Sequence, residues 1–375
     1  MSSVPPRKPI PPTMSRPGKI RPLLVPLGWL FGQIARLRRW LYARGVFRSY
    51  RASIPTVCVG NIAIGGTGKT PHASYIIQLL ASQYKVAMLS RGYGRKSKGF
   101  VLANTTPEAQ LSANLLGDEP LLLHRRFPEL PIAVDGDRER GIIKLQEYAP
   151  DTQVVVMDDA YQHLSFTPLV KLILTEYHRP YFRDYPLPAG RLREFPSAVS
   201  AADAVLVTKT DVPDGQVDRK QWRSDLRLRD DQPLFFTTYY YGQPEPVTER
   251  ARTVDLASAE VVLLSGIARP QPLEEHLNSR YHCVQHIQYP DHHRYTTAEI
   301  THLRHRVEEH SDKQRVVFTT EKDWMRLQAE ELQKDVFLLP VFIVPIEVDF
   351  LTENEKVEFN HIIEDYVRRD QTTHP

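Results

Sequence analysis

The sequence predicts an α/β protein with a nucleotide-binding core, a second and smaller α/β unit after it, and a basic amphipathic helix before it. Three observations predict this. An apolar run at residues 56–59 feeds the glycine-rich string Gly65-Gly66-Thr67-Gly68-Lys69-Thr70, and apolar residues at helical spacing (Tyr75, Ile76, Leu79, Leu80) follow it. A second apolar run, Val154-Val155-Val156-Met157, ends in the carboxylate pair Asp158-Asp159. Beyond residue 260, short apolar runs alternate again with helical patterns.

Strand, glycine turn and helix make the layout of a phosphate-binding loop. Gly65, Gly66 and Gly68 let successive N–H groups turn inward around phosphate oxygens, and the helix that follows points its positive end at them. Lys69 then reaches the terminal phosphates, and the Thr70 hydroxyl is offered to Mg2+. The strict pattern asks for a further glycine where Ala63 stands, yet the dense core with a strand before it and a helix after it keeps nucleotide binding ahead of an ordinary turn.

The chain has 375 residues, 41% hydrophobic and 25% charged, which is long enough for two globular domains. Cys58 and Cys283 stand far apart without metal-like spacing, so neither a disulfide framework nor a zinc site is expected. A net charge of +3 hides an asymmetry. Seventeen Lys and Arg precede the first acid, Glu108, and the remainder carries 31 bases against 45 acids. A basic arm on an acidic body suits nucleic acid, anionic lipid or a phosphorylated substrate, and charge alone does not choose among them.

Residues 1–19, rich in Pro, Ser and basic residues, are expected to form a disordered tail. From Leu27 the apolar residues recur at Leu30, Ile34, Leu37 and Leu41 with Trp29, Phe31 and Trp40 beside them and arginines between, so residues 20–50 read as an amphipathic helix. The stretch is too short and too interrupted for a membrane span, and a secretory signal would export the nucleotide site. An interfacial helix, arginines on anionic headgroups, fits better than one that only packs on the domain.

The loop-bearing lobe is expected over 51–231. Within it, residues 86–89 form a strand that ends in Arg91-Gly92-Tyr93-Gly94-Arg95, where Arg91 and Arg95 stand ready to meet a phosphate or acidic substrate. Asp118, in Gly117-Asp118-Glu119-Pro120, reads by itself as a helix cap. Asp158 and Asp159 at a buried strand end are costly without a cation, which points to Mg2+. Strands follow at 131–134, 171–174 and 204–207, with a long proline-rich loop through Arg193 and Glu194 before the last of these. Thr208-Lys209-Thr210-Asp211 resembles weakly the element by which GTPases read guanine. Residues 232–254 read as a tyrosine-rich connector, 255–352 as the second lobe with strands at 261–265, 316–319 and 336–344, and 353–375 as a terminal helix and tail. His292 and His293, after Asp291, lack a third ligand at metal spacing and suit an acid-base or orienting role.

Taken in order, residues 60–71, Arg91-Gly92-Tyr93-Gly94, Gly117-Asp118-Glu119-Pro120, Asp158-Asp159-Ala160-Tyr161-Gln162-His163, Pro188-Ala189-Gly190-Arg191-Leu192-Arg193-Glu194, Ser265-Gly266-Ile267-Ala268 and Asp291-His292-His293 resemble the tetraacyldisaccharide 4′-kinase family of lipid A biosynthesis. The resemblance spans about residues 22–323. It implies a P-loop NTPase-like core and a second α/β lobe joined by a β-stranded hinge, at the cytoplasmic face of the inner membrane. ATP and Mg2+ would serve to phosphorylate the 4′-hydroxyl of a tetraacyldisaccharide 1-phosphate, forming lipid IVA, with no nucleic acid and no obligate protein partner. It further implies that Asp118 is the base on that hydroxyl, assisted by His292, that Lys69 is catalytic, that the acids Asp158, Asp159 and Glu194 join the Thr70 hydroxyl at the metal site, and that Arg193 joins Arg91 and Arg95 on the substrate. Ala160 and Tyr161 depart from the family's usual Gly and Phe. The rival reading is a GTP-dependent switch or metallochaperone.

Overall fold

The computed structural model describes residues 20–107, 110–267, 270–291, 293–308 and 313–373. The expected tail at 1–19 and His292 lie outside the described residues. Fourteen strands are described: β1 (Thr56–Asn61), β2 (Val86–Ser90), β3 (Val101–Leu102), β4 (Ile132–Val134), β5 (Val154–Asp158), β6 (Val170–Glu176), β7 (Ala204–Thr208), β8 (Leu234–Tyr241), β9 (Glu245–Pro246), β10 (Glu260–Ser265), β11 (His282–Gln288), β12 (Arg315–Thr320), β13 (Val341–Val344) and β14 (Ile346–Phe350).

They form two sheets. The larger has the order β14-β8-β7-β6-β1-β5-β2-β4-β3, parallel throughout except for its antiparallel edges β14 and β3. The smaller has the order β11-β10-β12-β13-β9, parallel except for β9. In the larger sheet alternate residues of each strand enter opposite cores: Val57 and Val59, Val154 and Val156, Leu172 and Leu174 on one face, against Cys58, Val155 and Met157, and Ile173 on the other. Burial on both faces is why these strands read as unbroken apolar runs.

Helices cover both faces. The helices the argument needs are α1 (Val25–Ala43), α2 (Lys69–Ala81), α3 (Asp118–Arg126), α4 (Arg138–Tyr148), α5 (Glu321–Leu327) and α6 (Glu353–Thr373). Ala73, Ile76, Ile77 and Leu80 of α2 share a core with Phe359, Ile363 and Val367 of α6, and Ile142 and Leu145 of α4 pack on the opposite face.

The chain leaves the large sheet at β8 and returns as β14, the two pairing antiparallel from Tyr241 opposite Ile346 to Thr237 opposite Phe350. The small sheet is thus inserted between two adjacent strands, and two chain segments connect it to the first. A second contact is made where α3 packs on α5, with Arg126 Nη1 3.9 Å from Glu321 Oε1.

Two expectations are corrected. The tyrosine-rich stretch does not merely connect: Leu234–Tyr241 is a strand of the large sheet, with Phe235 and Phe236 buried on opposite faces. The strand expected at 336–344 is shorter, because Gln333–Val336 is helical and only Val341–Val344 pairs with β12.

Helix α1 docks in an unusual way. Its buried residues are Gly28 and Gly32, one turn apart. A Cβ on Gly28 would lie 2.6 Å from the Pro186 carbonyl oxygen, and one on Gly32 would collide with the Phe195 ring, so the backbone itself lies against the 186–195 loop. Leu27, Trp29, Leu30, Ile34, Leu37 and Trp40 are each at least half exposed.

Candidate active site

β1 lies between β5 and β6, where the chain order reverses, and the loop after it opens at the carboxyl edge of the sheet, the usual ligand crevice of open α/β folds. Residues 62–64 are clamped before the glycines begin: Arg193 N–H donates to the Ile62 carbonyl at 2.7 Å and Ile64 N–H donates to the Arg191 carbonyl at 2.8 Å. The buried Asn61 amide donates to Thr67 Oγ1 at 2.7 Å. Gly65 and Gly68 hold φ of 121° and 92°, the left-handed region, and Gly68 leads into α2. Lys69 and Thr70 therefore stand in the first turn of α2, where N–H groups are unpaired within the helix.

Asp158 ends β5 beside this loop, since Val59 of β1 is in register with it. Its carboxylate is 1% exposed, no N–H or hydroxyl among the described residues donates to either oxygen, and the Glu119 carboxyl lies within hydrogen-bond reach of it. Burial pushes its pKa well above the usual carboxylate range; the Glu119 and Asp159 carboxylates push the same way and Lys69 pulls it down. An acid kept in that position without a donor is short of a cation. Asp159, at φ 51°, turns instead toward Lys69, whose Nζ is 3.8 Å from Oδ1. Arg193 Nη1 donates to both Asp159 oxygens, at 3.0 and 3.1 Å, and to Gln162 Oε1 at 3.0 Å.

α3 brings Asp118 and Glu119 to the same edge. Gly117, at φ 93°, packs on the turn after β2: a Cβ there would lie 2.9 Å from the Tyr93 carbonyl oxygen. Gly117 is the residue that caps α3, and Asp118 opens the helix without capping it. The Asp118 carboxylate is half-buried and makes no hydrogen bond or ion pair among the described residues.

Several expected residues are placed differently. Glu194, expected as a metal acid, is spent: Arg39 of α1 donates Nε to Oε2 at 2.7 Å and Nη2 to Oε1 at 2.8 Å, while its guanidinium lies over the Tyr161 ring. Arg95, expected on the substrate, holds its own loop, donating to the Gly99 carbonyl at 2.7 Å and to Ser97 Oγ at 3.1 Å. Arg193, also expected on the substrate, is half-buried against Asp159. Arg91 is exposed at the end of β2 and makes no hydrogen bond among the described residues.

In the segment after β11, His293 is already engaged. Its Nε2 pairs with the Glu299 carboxylate at 3.1 Å and its ring stacks on Tyr289 with centroids 4.3 Å apart. Gly266 N–H donates to Asp323 Oδ2 at 2.9 Å, and a Cβ on Gly266 would lie 3.3 Å from the His293 Cβ. The Ser265-Gly266 and His293 segments and Asp323 thus meet at the carboxyl ends of β10 and β12.

Sequence reasoning missed two neighbours of Asp158. Glu119 is one. The other is Arg138, 1% exposed, whose Nη1 donates to the Asp135 carbonyl and whose pKa is lowered by burial against the opposing pull of the Cys58 thiol and Asp158. A basic residue inside a charged cluster carries no local sign that it will be buried. Among the described residues no three His, Cys, Asp or Glu side chains form a metal cluster. Asp158 with Thr70 still suits Mg2+, which takes only one or two protein ligands and keeps waters and phosphate oxygens for the rest.

A family model described as tetraacyldisaccharide-1-P 4′-kinase matches residues 20–367. A tetraacyldisaccharide 4′-kinase of Phocaeicola vulgatus is 38% identical over 358 residues, covering 94% of this chain and 96% of its own. One from Porphyromonas gingivalis is 38% identical over 361 residues, covering 92% and 97%. The "apo" form of LpxK from Aquifex aeolicus in complex with ATP superposes with a TM-score of 0.71 at 25% identity, covering 92% of this chain and 99% of that one.

Proposed function

The chain belongs to the tetraacyldisaccharide-1-P 4′-kinase family, and from that we infer that it is a tetraacyldisaccharide 4′-kinase moving the γ-phosphate of ATP onto the 4′-hydroxyl of tetraacyldisaccharide 1-phosphate, the step that forms lipid IVA. The observation that carries the site reading is the meeting at one sheet edge of two carboxylates with unspent oxygens, Asp158 and Asp118, beside the phosphate loop.

In this reading the N–H groups of the loop and of the first turn of α2 bind the phosphates. Lys69 offsets charge on the terminal phosphates, and the Asp159–Arg193 contact holds Lys69 from behind. Thr70 and Asp158 are the residues that would hold Mg2+, which when bound neutralises charge shared by the β- and γ-phosphates. Asp118 takes the proton of the 4′-hydroxyl as its oxygen forms a bond to the γ-phosphorus. The bond from that phosphorus to the bridging oxygen breaks, and ADP leaves. Exposed Arg91 suits the acceptor's own phosphate. His292 is proposed to help Asp118 from the second lobe once the lobes close about the two chain segments that lead from β8 and back to β14, with the units built on the larger and the smaller sheet as the moving bodies.

Among the described residues no helix is long and apolar enough to cross a membrane. The exposed apolar side chains of α1, with Arg36, Arg38 and Arg44 among them, support docking on an anionic membrane surface, which we propose is the cytoplasmic face of the inner membrane.

The test is incubation with [γ-32P]ATP, Mg2+ and tetraacyldisaccharide 1-phosphate in detergent micelles. A labelled bisphosphorylated lipid that disappears in Lys69→Ala supports the reading. Nucleotide hydrolysis without labelled lipid overturns it in favour of a nucleotide switch.

A further inference from the structure

A loop that turns its N–H groups inward must turn the carbonyls of the same peptides outward, where donors from the rest of the fold can fix them. Here three successive carbonyls each have one. Lys209 Nζ donates to the Gly66 carbonyl at 2.5 Å and also pairs with the Glu176 carboxylate. Thr208 Oγ1 donates to the Thr67 carbonyl at 2.9 Å. His72 Nδ1 lies 2.8 Å from the Gly68 carbonyl, which can only accept, so Nδ1 carries the proton and Nε2 accepts from Thr237 Oγ1 at 2.9 Å. Burial lowers the His72 pKa to about 4, which keeps that tautomer neutral at ordinary pH.

The donors come from outside the loop. Thr208 ends β7 and Lys209 follows it, at φ 56°, with its side chain turned back to the loop. Thr237 lies on β8, the strand that leads to the small sheet, and Tyr239 two residues on is buried with its hydroxyl against Gly68. Thr208-Lys209-Thr210-Asp211 was the motif that resembled a guanine reader. Its aspartate is taken, because Asp211 Oδ1 lies 2.6 Å from His178 Nε2.

We propose that Thr208, Lys209 and His72 are positioning residues that fix the outward orientation of the Gly66, Thr67 and Gly68 carbonyls, and thereby aim the loop's N–H groups at the phosphates of ATP. They act through the backbone and touch no phosphate. The proposal rests on the reading of this loop as the ATP site, and it gives the Thr208–Asp211 motif a bracing rather than a base-reading task.

The test measures the Kd of MgATP, KM for ATP, KM for the lipid acceptor and kcat in the full chain. Lys209 has a partly exposed side chain, so Lys209→Met is expected to fold. Losing one charge-assisted donor should weaken ATP binding by about tenfold or more. KM for the lipid acceptor should stay within about twofold, because the two sites are separate. His72→Leu should match that loss, and His72→Asn, which keeps a donor near Nδ1, should recover most of it. Replacing Asp211 by Asn should leave the ATP-to-GTP preference unchanged. A Kd for ATP unchanged in both Lys209→Met and Thr208→Val, while Lys69→Ala abolishes binding, overturns the proposal. Unchanged binding in Lys69→Ala instead overturns the underlying reading of the loop. Should His72→Leu not fold, the Lys209 variant decides alone.

Discussion

Replacing Asp158 by Asn should stabilise the nucleotide-free protein while removing its activity. The wild-type carboxylate is 1% exposed with no N–H or hydroxyl donor to either oxygen among the described residues, the Glu119 carboxyl is within hydrogen-bond reach and Asp159 stands near it. A buried charge lacking its partner is costly, and an isosteric neutral amide can donate to Glu119, so the variant should gain about 1–3 kcal/mol. With about 2.1 cal/mol/K of unfolding entropy per residue, that gain corresponds to a rise in Tm of roughly 1–4 °C. The pH dependence has a definite sign. A carboxyl whose pKa is raised on folding stabilises the fold below its unfolded pKa, near 3.8, and that contribution is lost as pH rises through the folded pKa. The variant's advantage should therefore open as pH rises and vanish in acid. MgATP at a hundredfold excess over Kd stabilises a binding protein by about 2.7 kcal/mol, and the variant should lose most of this. Differential scanning fluorimetry between pH 4 and 8, with and without MgATP, reads both effects. A variant less stable than wild type at neutral pH without Mg2+, or equally stabilised by MgATP, would refute the assignment of Asp158 as the orphaned cation ligand.

Other consequences follow from the same geometry. Glu194→Ala leaves Arg39 part-buried and unpaired, so α1 should loosen by about 2–4 kcal/mol and be cut faster by trypsin at Arg44, while the Mg2+ dependence of turnover stays unchanged; a shifted Mg2+ midpoint would restore Glu194 to the metal site. Deleting residues 1–48 should release the protein from anionic vesicles in a flotation assay, and retained binding would remove α1 as the docking element. Gly117→Ala forces a side chain into a left-handed φ against the Tyr93 carbonyl, so it should cost about 1–3 kcal/mol and misplace Asp118, lowering kcat with little change in ATP binding.

The parts of the molecule written in contiguous residues were legible in the sequence. Strands buried on both faces appear as apolar runs, and the phosphate loop and the Asp158-Asp159 pair declare themselves by local order alone. What was not legible depends on distant partners. Glu194 is settled by Arg39, which lies 155 positions away. Arg95 is held by the backbone of its own loop, and Asp118 escapes a capping role because Gly117 takes the turn that precedes α3. β8 hid behind its tyrosines, since Tyr239 is buried against Gly68 and His72, Tyr241 against His276 and the core of the small sheet, and the partner strand β14 returns over a hundred residues later in the chain. His72 and Thr208 belong to ordinary helix and strand ends, and only the fold brings them under the loop.

The most direct measurement is single-turnover phosphate transfer by Asp118→Asn with ATP and tetraacyldisaccharide 1-phosphate, alongside its Kd for MgATP. Loss of a positioned general base should slow transfer by about 10²–10⁴-fold while the Kd stays near that of wild type. Transfer at the wild-type rate would contradict the account, because Asp118, a carboxylate unspent among the described residues at the edge of the phosphate loop, would then have no part in the chemistry.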